Sequence, residues 1–319
     1  MSGSARAVGI ALGFLLDGAL GDPRRGHPVA AFGSAFSALE RRFWADTRTR
    51  GAACTGAAVG SVAVVAALAE RAARRHPVTE ATLVTLATWT ALGGTSLARD
   101  GAAMATHLRS GDLPAARLRL AHLCSRDAAD LDEEDLARAT VESLAENTSD
   151  AVVAPLLWAA VAGVPGVLVH RAVNTLDAMV GYRTPRHLRF GWAAARLDDL
   201  LGLAPARLTA ALTAALAPLT GGHPMAALVA WRRDAGAHPS PNAGPVEATF
   251  AGALGVRLGG SSTYAGHVED RGTLGDGRRV GVLDVGRTVR LSRAVGSAAL
   301  VVAMLVAVVV ARIAGGRRG

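Results

Sequence analysis

VESLAENTSDAVVAPLLW, Val141 to Trp158, decides how this chain is read. Its first half is polar and its second half apolar. Glu142, Glu146 and Asp150 recur every fourth residue, so an unbroken helix would carry three carboxylates on one face. Asn147, Thr148 and Ser149 interrupt the pattern, and Thr148 or Ser149 is placed to cap a new helix starting at Asp150. From Ala151 to Val169 the chain is apolar, broken only by Gly163, Pro165 and Gly166. The carboxylates thus stand at the mouth of a predicted membrane helix. Negative charge is costly there unless a metal or a cationic ligand answers it.

The rest of the composition agrees with a membrane. Half of the 319 residues are hydrophobic, and mean hydropathy is +0.29. With several long apolar runs, this favours an all-α, polytopic membrane protein over a soluble one. Five spans are predicted, at 52–69, 78–97, 151–169, 200–219 and 294–313, in one membrane-embedded domain covering 1–319. Arg207 and Pro205 compromise the first turns of the fourth. Gly56 and Gly60 have the small-xxx-small spacing that lets membrane helices approach closely. The N-terminal run Ala7–Leu20 contains Asp17 and falls short of roughly 20 apolar residues, so it reads as half-embedded or re-entrant. No secretory signal with a cleavage site is read there.

Net charge is +8 and all 34 basic residues are Arg. The missing Lys excludes a Walker A nucleotide loop and a pyridoxal-phosphate Schiff base. Arg is spread over every loop without aromatic interleaving, so anionic headgroups explain it better than nucleic acid. Cys54 and Cys124 form no metal or disulfide pattern. With five spans, the N-terminus and the long loops carry twice the Arg of the opposite side, which places them in the cytoplasm.

The polar loops, 99–149, 170–199 and 221–293, hold the candidate chemistry. After the N-terminal run, Gly21-Asp22-Pro23 makes a turn that brings Asp17, Asp22 and His27 together, with Arg24 and Arg25 on headgroups. Ser34 to Arg50 reads as an interfacial amphipathic helix, with Phe36, Leu39, Phe43 and Trp44 on its apolar face. In 99–149 two short helices are expected, with a stop and restart at Gly111–Pro114 and a cap at Asp132. Asn174 and Asp177 share a helix face that Gly181 ends, and Arg196, Asp198 and Asp199 precede the next span. Asp198 and Asp199 have an alternative reading as a helix cap. Pro245–Leu254 is a predicted short helix and Ser261–Gly286 a loop.

These motifs carry a resemblance. LGDPRRGHPVAAFG, VESLAENTSDAVVAPLLW, RAVNTLDAMVGYR, FGWAAARLDDL and HPSPNAGPVEATFAGALGVRLGG occur in the order and at the spacing of the CobD/CbiB cobalamin-biosynthesis family. The likeness covers nearly the whole chain. It implies an adenosylcobinamide-phosphate synthase, a multi-pass enzyme of the cell membrane. Such an enzyme joins adenosylcobyric acid to (R)-1-amino-2-propanol, or to its O-phosphate, through an amide. The condensation needs activation, so ATP with Mg²⁺ is expected, through an acyl phosphate. Other late corrinoid-pathway enzymes are conceivable partners. A pyridoxal-phosphate decarboxylase shares the CobD name, and the missing Lys excludes it.

Set against that chemistry, Glu142, Glu146 and Asp150 are first candidates for Mg²⁺, with Asn147 a neutral ligand. Asn174 with Asp177, and Asp198 with Asp199, are second candidates. One carboxylate or His238 would take the ammonium proton. Arg171, Arg183 and Arg196 are candidates for gripping phosphate. Asp17, Asp22, His27, Asn242 and Glu247 complete the candidate substrate contacts. Two other classes stay open: a Mg²⁺-dependent membrane alcohol phosphotransferase, and a non-catalytic corrinoid scaffold or transporter.

Overall fold

A computed structural model describes residues 3–22, 27–182, 184–264 and 267–316. In chain order the helices are α1 (Gly3–Leu20), α2 (Pro28–Phe43), α3 (Arg48–Ala73), α4 (Pro77–Ala91), α5 (Gly94–Arg109), α6 (Leu113–Leu120) and α7 (Glu133–Thr148). There follow α8 (Ala154–Val180), α9 (Trp192–Leu216), α10 (Pro224–Asp234), α11 (Ala243–Leu254), a hairpin of β1 (Leu258–Tyr264) and β2 (His267–Leu274), and α12 (Val282–Gly316). The protein is an all-α membrane protein apart from that hairpin. Among the described residues, five helical segments are long and apolar enough to cross a membrane: 3–20, 48–73, 133–180, 192–220 and 282–313.

The chain divides into two compact units, one of residues 1–93, 154–202 and 300–319, the other of 94–153 and 203–299.

In the first unit, α4 ends at Ala91 and Leu92 turns extended, so the expected span at 78–97 is not one helix. The Gly93-Gly94 pair that follows makes continuation costly. Fifteen residues reach about 22 Å, short of the roughly 30 Å of a hydrocarbon core. The fifth long apolar helix is instead α1, expected to be only half-embedded. It packs on α4 through Gly9 and Gly13, where an added Cβ would come within 2.7 Å of the Ala81 carbonyl oxygen and of Thr88 Cβ. Among the described residues, nothing lies within 4 Å of such a Cβ at the expected packing glycines Gly56 and Gly60. The amphipathic helix also starts and stops earlier than expected. Phe36 is buried with Leu176, Val180 and Phe190, and Leu39 packs on them, whereas Phe43 and Trp44 stay exposed. Gly181 does end α8, its N–H donating to the Asp177 carbonyl. Inside α8, Gly163 leaves helical geometry (φ 68°) just before Pro165. The buried Arg6 sits at that break, donating to the Ala160 carbonyl at 3.2 Å and pairing with Glu70 at 3.3 Å.

In the second unit, residues 99–149 hold parts or all of three helices, α5, α6 and α7, where two were expected. Asp112 caps α6 and Asp132 caps α7, each accepting the N–H three residues on. No new helix is capped at Asp150. Ser149 to Val153 form a π-helical turn that runs α7 into Ala154. Thr148 points its hydroxyl at the Leu144 carbonyl and Ser292 Oγ, both at 2.6 Å, and so is not a cap. The predicted short helix exists as α11, buried along almost its whole length. The expected loop at 261–286 holds most of the hairpin and the start of α12. Asp284 opens α12: Arg278 reaches it through two hydrogen bonds (2.6 and 2.7 Å), and Arg287 through a third at 2.7 Å. Arg287 then ties down the Leu254 and Thr220 carbonyls at 2.8 and 2.7 Å.

Candidate functional site

The second unit gathers ionisable side chains from α7, β2, α11 and the segment between α10 and α11. Glu142 is wholly buried. Its carboxylate takes Arg126 Nη2 at 2.6 Å, the Gly259 N–H at 2.7 Å and Arg138 Nη1 at 3.4 Å. Arg138 also donates to the Gly259 carbonyl at 2.6 Å. Glu142 therefore holds the foot of the hairpin against α7. Its oxygens are engaged by protein donors.

One turn along α7 the setting changes. The Glu146 side chain is 40% exposed, and Arg271 Nη2 lies 3.9 Å from it. The same Arg271 nitrogen lies 3.6 Å from Glu247 Oε1, inside the protein. A bulge in the hairpin sets this aim. Between the pairs Gly259–Thr273 and Ser261–Asp270, two residues of β2, Arg271 and Gly272, oppose Gly260 alone. Bulges of this kind redirect a side chain. Gly272 has φ +68°, and a Cβ there would lie 2.7 Å from Ala237 Cβ. Glycine thus lets the bulge lie against the segment that leads to His238.

Glu247 is fully buried and His238 nearly so. His238 Nε2 stands 3.7 Å from Glu247 Oε1. Among the described residues, none of these three atoms, Nε2 and the two Glu247 oxygens, has a hydrogen-bond partner. Burial, with the nearby Arg271 charge, lowers the His238 pKa to about 4, so the ring is neutral at physiological pH. Its Nδ1 accepts the Ser240 N–H at 3.0 Å, which puts the ring proton on Nε2, facing Glu247. Burial raises the Glu247 carboxyl above the usual range, against the opposing pull of Arg271, and Glu142 and Glu146 push the same way as burial. The result is a graded line: an exposed carboxylate, a guanidinium, a buried carboxyl of raised pKa and a neutral imidazole.

The other expected residues fall as follows. Asn147 donates to the Ser143 carbonyl at 2.9 Å, a bond within its own helix. Asp150 is half-buried in the π-turn. Asn242 accepts from Arg207 at 3.0 Å. Asn174, Asp177, Asp198, Asp199, Arg171 and Arg196 belong to the first unit. There Asn174 links Arg171 and Asp198 at 3.4 Å each, and Arg196 pairs with Asp199 at 3.2 Å on its own helix. Asp17 is buried in α1, and His27 caps α2 by accepting the Val29 N–H. Burial lowers the His27 pKa, and Arg171 adds to this while Asp22 opposes it. Arg183, with Arg24 and Arg25, lies outside the described residues. Among the described residues, no three His, Cys, Asp or Glu side chains gather closely enough to hold a metal ion.

Sequence reasoning missed Arg126, Arg138 and Arg271. Arg271 lies in a stretch that reads as loop, and its neighbour Gly272 was the available sign of a bulge.

Comparison with known proteins places these residues in a family context. Residues 10–292 match the CobD/Cbib protein family. A protein of Mycobacterium tuberculosis (strain H37Rv) named cobalamin biosynthesis protein CobD is 54% identical over 300 residues, covering 94% of this chain and 95% of that one. Proteins of the same name are 46% identical in Geobacter metallireducens (82% and 84% covered) and 43% identical in Chromobacterium violaceum (89% and 91% covered). No solved structure matches the chain.

Proposed function

This chain belongs to the CobD/Cbib protein family of cobalamin biosynthesis, and from that premise we propose that it forms the amide between adenosylcobyric acid and (R)-1-amino-2-propanol or its O-phosphate. The observation that supports this reading is the line Glu146, Arg271, Glu247, His238. Amide formation must hold a cationic amine, remove its proton and stabilise an oxyanion. Glu146, facing solvent, is the counter-ion for the ammonium. Glu247 is a proton acceptor whose raised pKa brings it closer to neutrality than an ordinary carboxylate. His238 turns its Nε2–H toward Glu247 across 3.7 Å. Arg271, between the two carboxylates, is the donor for the developing oxyanion. Placing amine and activated acyl group together supplies much of the remaining acceleration.

Activation by ATP with Mg²⁺ is part of the proposal. Mg²⁺ takes one or two carboxylates and completes its shell with phosphate oxygens and water. Asp150 suits that habit, and Glu142 does not, because Arg126, Arg138 and Gly259 already engage it. The ion would neutralise charge on the transferring phosphate. The proposal takes the N-terminus and the long loops to be cytoplasmic, where nucleotide is available.

The test is amide formation by the purified full-length protein in detergent. It would receive adenosylcobyric acid, aminopropanol phosphate and Mg-ATP. The expected result is a cobinamide product with ADP release, lost in Glu247→Gln and in Arg271→Gln. Retention of corrinoid without amide, under any nucleotide, would overturn the catalytic reading in favour of a binding role.

A further inference from the structure

A second feature of the same unit lies outside that line of residues. At the foot of the hairpin a cavity of about 260 Å³ is lined by Arg138, Arg257, Arg279, Glu134 and the backbone of Gly259 and Gly260. Its walls carry three guanidinium groups and one carboxylate. Arg138 is already set against Glu142 and Asp135, and Arg279 against Glu134 at 3.2 Å. Arg257 has no carboxylate within 4 Å among the described residues, so the cavity keeps an unanswered positive charge.

The backbone aligns the two outer arginines. Val256 bridges Arg278 in parallel register, and the Arg257 N–H donates to the Arg278 carbonyl at 2.9 Å. Arg257 and Arg279 each follow the bridged pair by one residue, so they leave the two segments on the same side. Both also line the cavity, and guanidiniums are the planar donors that match the oxygens of a phosphate. Part of the wall is the main chain of Gly259 and Gly260. A Cβ at Gly260 would meet nothing within 4 Å, so a ligand can reach the main chain there.

We propose that this cavity binds the phosphate group of a phosphorylated ligand, with Arg257 and Arg279 as its principal contacts. The assignment rests on the amide-forming reading for its sources. That reading supplies two: the polyphosphate of a nucleotide, and the phosphate ester of the amino alcohol.

The experiment measures binding of labelled pyrophosphate to the full-length protein in detergent, without magnesium and without turnover. Arg257→Gln and Arg279→Gln are each expected to weaken binding about tenfold or more, while Arg232→Gln, at the end of α10, leaves it unchanged. Both side chains are exposed, so matched melting temperatures are expected for all three variants. ATP and aminopropanol phosphate are then used as competitors. The one that displaces pyrophosphate from wild type, and loses that ability in parallel with the arginine variants, is the source. Binding that is unaffected by either outer arginine overturns the site, as does displacement by neither competitor. Because binding is read without chemistry, an absent amide product would overturn the reaction and leave this result standing.

Discussion

His238 Nε2 lies 3.7 Å from Glu247 Oε1, and burial shifts each of the two groups toward its neutral form. The imidazole is held neutral down to about pH 4, against an ordinary value of 6.5. As pH falls through that window the unfolded chain takes up the proton first, so His238 removes stability on acidification. Glu247 acts the opposite way. Its native pKa lies above the ordinary 4.5, so its contribution is present at low pH and lost as pH rises through the raised value.

Between pH 4.5 and 6.5 the two slopes oppose each other in the native protein. Glu247→Gln removes one of them. Its melting temperature should fall relative to wild type as pH is lowered from 7 to 4, because both proteins carry the His238 penalty and only wild type gains the opposing Glu247 contribution. A difference between E247Q and wild type that does not change with pH would sink this account.

Glu142 should be needed for stability rather than for metal. Its side chain and that of Arg126 are 1% and 2% exposed and meet at 2.6 Å. Removing one partner of such a pair strands the other, at a cost of about 3–5 kcal/mol. Glu142→Gln is therefore expected to lower the denaturation midpoint markedly, with or without magnesium. A variant as stable as wild type that needs more magnesium would restore the ligand reading.

Gly272→Ala tests the bulge. At φ +68° any side chain is strained, and the new Cβ meets Ala237. A loss of about 1–3 kcal/mol is expected. Arg271 should be displaced with the hairpin, so amide formation should fall more than stability does. Full activity in a folded G272A protein would show that the bulge does not aim Arg271.

The helix seam gives a test of sign. Alanine is favoured over glycine in a helix by about 1 kcal/mol. Gly56→Ala, with open space around it, should raise the melting temperature slightly. Gly9→Ala should lower it, because its Cβ would approach the Ala81 carbonyl at 2.7 Å. Equal shifts in both variants would show that α1 does not pack closely on α4.

Much of the local architecture was legible. Asp112 and Asp132 cap the helices that follow them, Gly181 ends α8, and α11 lies close to where Pro245 predicts it. The span at 78–97 was misread because hydropathy averages across Leu92 and Gly93, where the backbone leaves the helix. The hairpin was missed because its strands, LGGSSTY and HVEDRGTL, lack a strong apolar alternation. The expected triad of Glu142, Glu146 and Asp150 separates into different environments. Glu142 is sealed by arginines, Glu146 meets solvent, and Asp150 sits in the π-turn.

By itself the sequence determined the class of protein, its family resemblance and the residue types that bear charge near the membrane. These depend on hydropathy, capping and motif order, which act over a few turns of chain. Tertiary structure alone decided which charges meet. Glu142 and Gly259 are 117 positions apart, yet the carboxylate takes that N–H at 2.7 Å. Glu247 gains its raised pKa from burial within α11, against the pull of Arg271, carried in by a bulge. Burial and through-space charge are properties of the packed chain, and no local spacing encodes them.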